Sequence, residues 1–146
     1  MADAGLAASP ELDELRDILL ATRSIAVVGL SDKPHRPSYE VAAYLQGRGY
    51  RIIPVNPTIA EVLGENAYPS LRAIAERIDV VDIFRRPEFV PEIVEDAIAV
   101  DAKVVWMQLG IVHEEAAARA RAAGLTVVMN MCMATTHDRL RSMGRL

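Results

Sequence analysis

The sequence predicts one α/β domain built on a parallel β-sheet, and three observations support this fold class. Five short runs rich in Val and Ile recur along the chain, and stretches with apolar residues at helical spacing separate them. The runs are almost wholly apolar, which is typical of strands that helices cover on both faces. The length of 146 residues suits one hydrophobic core, because two domains of half this size would each be marginal.

The elements follow in alternation after a first helix over Glu11–Ala21, which carries Leu12, Leu15, Ile18 and Leu19 on one face. Strands are predicted at Ser24–Val28, Arg51–Val55, Val80–Phe84, Lys103–Met107 and Thr126–Met129. Helices are predicted over Tyr39–Gln46, Glu88–Val100 and Glu114–Ala123, with a loop over Thr58–Pro69 and a short helix over Leu71–Ala75. Because right-handed crossovers carry each helix back over one face, the strands are expected to be parallel.

The expected topology is a Rossmann-like three-layer sandwich with a five-stranded parallel sheet in the order 3-2-1-4-5. We expect residues 11–146 to form this single domain and residues 1–10 to form a mobile leader. Ligands of open α/β sheets lie beyond the carboxyl ends of the strands, where the strand order reverses. In this order the crevice lies between the first and fourth strands, with Gly29–Ser31 and Gln108–Gly110 as its floor.

Composition and charge argue against several classes of function. The 16 basic residues are scattered and are outnumbered by 20 acidic ones, so we expect no nucleic-acid partner. The longest apolar stretch, Ile25–Leu30, is far shorter than the roughly 20 residues of a membrane-spanning helix, so we expect no membrane partner. The start of the chain is unlike a secretory signal and Cys132 is the only cysteine, which together favour a cytoplasmic location.

The turn after the first strand begins like a dinucleotide-binding turn and then departs from it. Gly29 supplies the tight turn, but Ser31 and Pro34 stand where that motif has glycines. The second strand ends at Asn56, where an NAD-binding domain usually has Asp or Glu for the ribose 2′-hydroxyl. These departures disfavour a nicotinamide cofactor.

Basic residues near the same turn favour a polyanionic nucleotide. Lys33 follows the first strand, and Arg85 and Arg86 follow the third. The two arginines can equally be surface charges that pair with Asp82 or Glu88. Gln108 leaves a buried strand, so its amide needs a partner, which a ligand or a neighbouring loop would supply.

Five motifs at the predicted strand exits carry a family resemblance. They are Val-Gly-Leu-Ser at 28–31, Arg-Pro-Ser at 36–38, Pro-Val-Asn-Pro at 54–57, Phe-Arg-Arg-Pro-Glu-Phe-Val-Pro at 84–91 and Val-Trp-Met-Gln-Leu-Gly-Ile at 105–111. In this order they resemble the small stand-alone CoA-binding proteins, a family related to the CoA-binding N-terminal domain of the succinyl-CoA synthetase alpha subunit. The likeness runs from about Leu12 to Leu140.

The resemblance implies a domain that binds coenzyme A or acyl-CoA through its ADP portion and carries no catalytic residues. It implies that phosphate lies near Gly29, Ser31 and Lys33, and that adenosine lies beside Asn56 and Pro57. The resemblance further places a set of residues along the crevice, namely Arg85, Arg86, Gln108 and Gly110.

The end of the chain departs from the family pattern around Cys132. The family usually has an acidic residue and Arg before this cysteine and Glu-His after it, whereas this chain keeps Cys132 and His137 but has Asn130, Met131 and Thr136. Cys132 is either an inert buried thiol or a neighbour of the pantetheine thiol that forms a mixed disulfide with CoA. The histidines are too dispersed to indicate a metal site.

Two other functions stay open. One is an NAD(P)-dependent oxidoreductase that uses the same crevice, and the other is a regulatory domain that docks onto a larger acyl-CoA enzyme. A protein partner or a homo-oligomer is compatible with both. A ligase acting alone is not expected, because the chain has no length for the phosphohistidine and nucleotide-activating domains that the synthetase relatives use.

Overall fold

A five-stranded parallel sheet is the middle layer of the molecule, as the computed structural model shows for residues 4–146, with side chains described from residue 11. In chain order the strands are β1 (Ser24–Val28), β2 (Arg51–Val55), β3 (Glu61–Val62), β4 (Glu65–Asn66), β5 (Val80–Ile83), β6 (Val104–Met107) and β7 (Thr126–Val128). The helices are α1 (Ala4–Ala21), α2 (Pro37–Gly47), α3 (Val90–Ala99), α4 (Glu114–Ala122) and α5 (Met133–Ser142). Short 3₁₀ helices lie at Leu71–Ala73 and Pro87–Phe89.

The α/β class and the five parallel strands are confirmed, with strand bounds within a residue of those predicted. The region predicted as a loop contains the small antiparallel hairpin of β3 and β4. Helix α1 begins at Ala4, earlier than the predicted Glu11. Residues 1–3 lie outside the described residues, so the mobile leader over residues 1–10 stays a prediction.

The order of the strands corrects the predicted 3-2-1-4-5. The sheet runs β2-β1-β5-β6-β7, which is 2-1-3-4-5 when its five strands are counted along the chain. The prediction was wrong because it ignored the long, irregular connection over residues 56–79, which carries the chain from β2 past β1 to β5. The regular helix α3 then joins neighbouring strands. The order therefore reverses between β1 and β5, and the first and fourth strands are not neighbours.

Two separate cores hold the three layers together. On one face, α3, α4 and the 3₁₀ helix at Leu71 pack on alternate strand residues such as Ile53 and Val81. On the other face, α1, α2 and α5 pack on residues such as Ile52 and Trp106. The Trp106 side chain is wholly buried and its ring N–H donates to the Met131 carbonyl at 2.8 Å, as expected for a core residue. The three-layer arrangement is thus confirmed.

Candidate functional site

The turn at Gly29 joins three strand ends at the point where the sheet order reverses. Gly29 has a φ of +89°, and a side chain there would overlap the Phe84 carbonyl oxygen and lie 3.1 Å from Arg85 Cδ. The Gly29 N–H donates to the Val55 carbonyl at 2.9 Å, and the Phe84 N–H donates to the Val28 carbonyl at 2.8 Å. Glycine is therefore needed both for the backbone conformation and for the close approach of β5.

Three adjoining depressions open at this edge of the sheet, and Phe84 lines all of them. The crevice, of about 630 Å³, is formed by the ends of β1, β2 and β5 with α3, and is lined among others by Gly29, Asn56, Pro57, Thr58, Arg85 and Glu92. The turn pocket, of about 430 Å³, is lined among others by Gly29, Ser31, Lys33, Arg36, Ser38 and Asn56. The apolar pocket, of about 560 Å³, is lined among others by Pro37, Val41, Leu109, Ile111 and Cys132.

All ten residues predicted for the site line at least one of these depressions. The crevice takes Gly29, Asn56, Pro57 and Arg85, the turn pocket adds Ser31 and Lys33, and the apolar pocket takes Arg85, Arg86, Gln108, Gly110 and Cys132. The predicted floor is corrected, however, because β5 lies between β1 and β6. Phe84 and Arg85 thus separate Gly29–Ser31 from Gln108–Gly110. The functional roles of the ten predicted site residues stay predictions.

Hydrogen bonds between residues that line the turn pocket stabilise the conformation of the turn. The Ser31 N–H donates to Ser38 Oγ at 3.0 Å, and the Lys33 N–H donates to Ser31 Oγ at 3.0 Å. Helix α2 begins at Pro37 without a side-chain cap, so the first N–H groups of the helix are open to a ligand. The side chains of Lys33 and Arg36 are exposed at this helix start. The pocket therefore combines backbone donors with two cations and one carboxylate, Asp32, and the net positive charge suits an anion.

Asn56 shapes the crevice, and most of its hydrogen-bonding capacity is already used within the protein. Its Nδ2 donates to the Leu30 carbonyl at 2.9 Å, and its Oδ1 accepts from the Thr58 N–H at 2.9 Å and from Thr58 Oγ1 at 2.7 Å. These bonds tie the exit of β2 to the exit of β1. A ligand beside β2 would thus contact Pro57 and Thr58 more readily than the Asn56 amide.

The two arginines after β5 stack on one aromatic ring. The guanidinium carbon of Arg85 lies 4.2 Å from the centre of the Phe89 ring, and that of Arg86 lies 5.3 Å from it. Arg86 also approaches Glu88 at 3.7 Å. Among the described side chains Arg85 forms no ion pair. The surface-charge interpretation allowed pairs with Asp82 or Glu88, and only the contact of Arg86 with Glu88 is present in the described part of the chain. The Arg85 cation therefore remains available where the crevice meets the apolar pocket.

Gln108 finds its partner inside the protein, at a residue that the sequence analysis did not place in the site. Its Nε2 donates to Asp82 Oδ1 at 2.7 Å, and both side chains are buried. The other oxygen of Asp82 has no hydrogen-bond partner among the described residues. Burial raises the pKa of Asp82 to about 7, although the bond from Gln108 acts in the opposite direction. An acidic residue inside the apolar run of β5 was the signal that could have identified this pair.

Charge differs between the α2 end and the α3 end of the site. Lys33 and Arg36 line the turn pocket at the α2 end, whereas Glu92 and Asp96 line the crevice at the α3 end. Asp96 accepts from Arg72 Nε at 2.7 Å, and Glu92 is exposed. Phosphate groups would therefore be attracted to the α2 end, and hydrogen-bond donors to the α3 end.

Within residues 4–146, no group of acidic, histidine and cysteine side chains suits a metal ion. No helix in the described part of the chain is long and apolar enough to cross a membrane.

Comparison with known proteins adds independent observations about this edge of the sheet. The uncharacterized protein YneT of Bacillus subtilis is 46% identical over 129 residues, which cover 88% of this chain and 96% of YneT. A hypothetical protein from Pyrococcus horikoshii OT3 has a solved structure with a TM-score of 0.87 at 45% identity, covering 89% of this chain and 92% of that one. The ADP-forming acetate–CoA ligase II of Archaeoglobus fulgidus is 31% identical over 87 residues, which cover 58% of this chain and 13% of the ligase.

A family model matches the part of the chain that builds the site. This model, described as a CoA binding domain, matches residues 23–138, which include every strand of the sheet and all three depressions. The chain belongs to the CoA-binding domain family.

Proposed function

We propose that this protein binds coenzyme A or an acyl-CoA through the ADP portion of the ligand and does not itself catalyse a reaction. The observation that carries the proposal is the junction at Gly29, where an anion-binding turn and an open crevice share one wall. A nucleotide with several phosphates needs both features side by side. Family membership supports coenzyme A as the nucleotide.

The charge distribution supports one orientation of the ligand. The pyrophosphate would lie in the turn pocket, where Lys33, Arg36 and the start of α2 offer positive charge. The adenosine would lie in the crevice beside Pro57 and Thr58, with its amino group toward Glu92. Arg85 lies where the crevice meets the apolar pocket and can contact a phosphate at that boundary.

A nicotinamide cofactor is the less favoured ligand. The Ser31 N–H is already bonded to Ser38, and the Asn56 side chain offers no acidic group for a ribose hydroxyl. The relatives that match nearly the whole chain are of similar size, whereas the ligase that matches is much longer than this chain. The proposed binding role needs no part of the ligase outside the region that this chain matches.

Thermal unfolding in the presence of different nucleotides tests the proposal. Coenzyme A at about a hundred times its dissociation constant should stabilise the fold by roughly 2.7 kcal/mol and raise Tm accordingly. NADH at the same concentration should leave Tm unchanged. The reverse result, stabilisation by NADH and not by coenzyme A, would show that the protein is an NAD-binding domain.

A matched pair of lysine variants tests the position of the phosphates. Lys33→Ala should weaken the affinity for coenzyme A by about 1.5 to 3 kcal/mol, because a charged hydrogen bond is lost. Lys103→Ala removes the other lysine of the chain, which is also exposed but precedes β6 at the opposite edge of the sheet. Isothermal titration calorimetry should find the affinity of this control unchanged. Equal affinities for both variants would remove Lys33 from the site.

A further inference from the structure

We propose that the apolar pocket holds the acyl chain of a short-chain acyl-CoA whose nucleotide occupies the crevice and the turn pocket. The inference rests on the proposed function and adds the class of ligand, a thioester of CoA with an uncharged acyl group. It assigns a ligand group to the apolar pocket, which the ADP portion of the ligand does not occupy in the proposed orientation.

The lining of this pocket differs in chemistry from that of the other two depressions. Hydrocarbon surfaces from Val41, Phe84, Leu109 and Ile111 face a volume of about 560 Å³. Leu109 is 71% exposed although it lies only two residues after the buried strand β6. A large apolar side chain at this position gains free energy if a ligand covers it, and an acyl chain is a ligand that can do so.

The loop that presents Leu109 is held in place by a side-chain hydrogen bond. Gly110 adopts a φ of +85°, and its N–H donates to Asn130 Oδ1 at 2.7 Å. This bond ties the exit of β6 to the exit of β7. The backbone next to the exposed leucine is therefore anchored, which reduces the loop-ordering entropy that a ligand must overcome.

The apolar pocket is continuous with the proposed nucleotide site. It shares Phe84 and Arg85 with the crevice, and Pro37 and Phe84 with the turn pocket. A ligand with phosphates in the turn pocket and adenosine in the crevice can extend its remaining arm past Phe84. The three depressions then match the three parts of an acyl-CoA, which are the nucleoside, the phosphates and the acylated pantetheine arm.

Gln108 gives the pocket one polar group that suits the pantetheine arm. This residue lines the pocket and is buried, and its amide nitrogen is bonded to Asp82. The amide oxygen is therefore the atom left to accept a hydrogen bond from an amide N–H of the arm. An oriented acceptor beside the hydrocarbon surfaces of Val41, Leu109 and Ile111 is typical of a pocket that binds a mostly apolar group.

An uncharged acyl group is favoured over one with a terminal carboxylate. Arg86 lines this pocket, and it already faces Glu88 at 3.7 Å. Arg85 lies over the Phe89 ring at the boundary with the crevice, where the phosphates would use it. A succinyl chain would therefore place its carboxylate against Leu109 and Ile111, where it would have to compete with Glu88 for Arg86 and with the phosphates of the ligand for Arg85.

Calorimetric titration of the whole protein with a series of thioesters tests the inference. The ligands are coenzyme A and its acetyl, butyryl, hexanoyl and succinyl thioesters. From acetyl to butyryl the Kd should fall at least tenfold, since each buried methylene contributes about fourfold, equivalent to about 0.8 kcal/mol. Succinyl-CoA should bind more weakly than butyryl-CoA. Equal affinity for all thioesters, or tighter binding of succinyl-CoA, would overturn the inference.

Variants at exposed leucines provide the matched control. Leu109→Ser should reduce the ratio of the acetyl-CoA Kd to the hexanoyl-CoA Kd at least threefold. Leu20→Ser changes a leucine on α1 that is 65% exposed, and it should leave that ratio unchanged. An unchanged ratio in Leu109→Ser would show that the acyl chain does not bind in this pocket. If coenzyme A binds and the series is flat, only this inference fails; if neither coenzyme A nor any thioester binds, the proposed function fails with it.

Discussion

Replacing Asp82 with Asn should stabilise the fold at alkaline pH, and the change in stability should be less favourable at acidic pH. The Asp82 carboxyl is wholly buried on β5, which has a neighbouring strand on each side, and one of its oxygens has no partner among the described residues. Burial raises its pKa from 3.8 to about 7. Because the folded protein binds this proton more tightly than the unfolded chain, stability falls as the pH rises from about 4 to about 7.

The size of the effect follows from the two pKa values of this one carboxyl. At pH 9 both states are ionised, and the shift from 3.8 to about 7 costs the wild-type fold about 4 kcal/mol, at about 1.36 kcal/mol per unit. At pH 5 the folded carboxyl is still protonated, and the same treatment gives a cost of about 2 kcal/mol. The Asn amide does not titrate, so the gain at pH 9 should exceed the gain at pH 5 by about 2 to 3 kcal/mol.

Urea unfolding at the two pH values measures this difference. The Asn oxygen can still accept from Gln108, whereas its amide nitrogen replaces the unpartnered oxygen at a cost of about 1 to 3 kcal/mol, which is the same at both pH values. Asp79→Asn is the matched control, because Asp79 Oδ2 accepts from the Arg23 N–H at 2.8 Å and from the Ser24 N–H at 3.2 Å. This variant should lose stability at pH 9. A gain for Asp82→Asn that is equal at both pH values, or larger at pH 5, would refute the reasoning.

Two further predictions concern the turn and the helix interface. Gly29→Ala should lower the free energy of unfolding by about 2 kcal/mol or more, because the φ of +89° and the overlap with the Phe84 carbonyl both oppose a side chain. His137 accepts or donates a hydrogen bond at 2.9 Å with Tyr44, and burial, with the nearby charges of Arg48 and Arg141, lowers its pKa. The unfolded chain therefore binds the proton more tightly, so stability should fall as the pH drops below about 6.5, and His137→Gln should reduce that fall.

Chemical denaturation distinguishes these outcomes from their alternatives. Gly47→Ala is the control for Gly29→Ala, since no atom lies within 4 Å of a Cβ at this helical glycine. It should be neutral or stabilising by up to about 1 kcal/mol. Equal effects of the two alanines would contradict the close approach at Gly29. For His137, identical slopes of stability against pH in the variant and the wild type between pH 7.5 and 5.5 would contradict its assignment as a buried neutral imidazole.

Local sequence patterns were enough to predict the strands and the edge of the sheet that carries the site. Apolar runs of strand length predict strands reliably when helices cover both faces of the sheet. The buried Asp82 did not prevent the prediction of the strand that became β5. Because parallel strands end at the same edge, the polar residues that follow them were placed together correctly. Details such as the Asn56 bonds to Leu30 and Thr58 depend on the loop conformations, which the spacing of apolar residues does not predict.

Two features could not be read from periodicity. The sequence analysis did not predict α5, because Met133 and Leu140 are the main apolar residues on its buried face and two threonines and a histidine interrupt the pattern. The strand order was missed for a different reason. A pattern of strands and helices is compatible with more than one order, and only the length and irregularity of residues 56–79 indicate that the chain passes over β1.

The strand order explains both the unusual carboxyl and the location of the candidate site. In the order 3-2-1-4-5, β5 would be an edge strand, and Asp82 could reach water and keep an ordinary acidity. Arg85 would then lie two strands from Gly29, about 10 Å away at the usual strand spacing. In the observed order β5 lies between β1 and β6, so Asp82 is enclosed and Arg85 Cδ lies close to Gly29. The same placement of one strand thus raises the pKa of Asp82 and brings a cation to the turn that is proposed to bind phosphate.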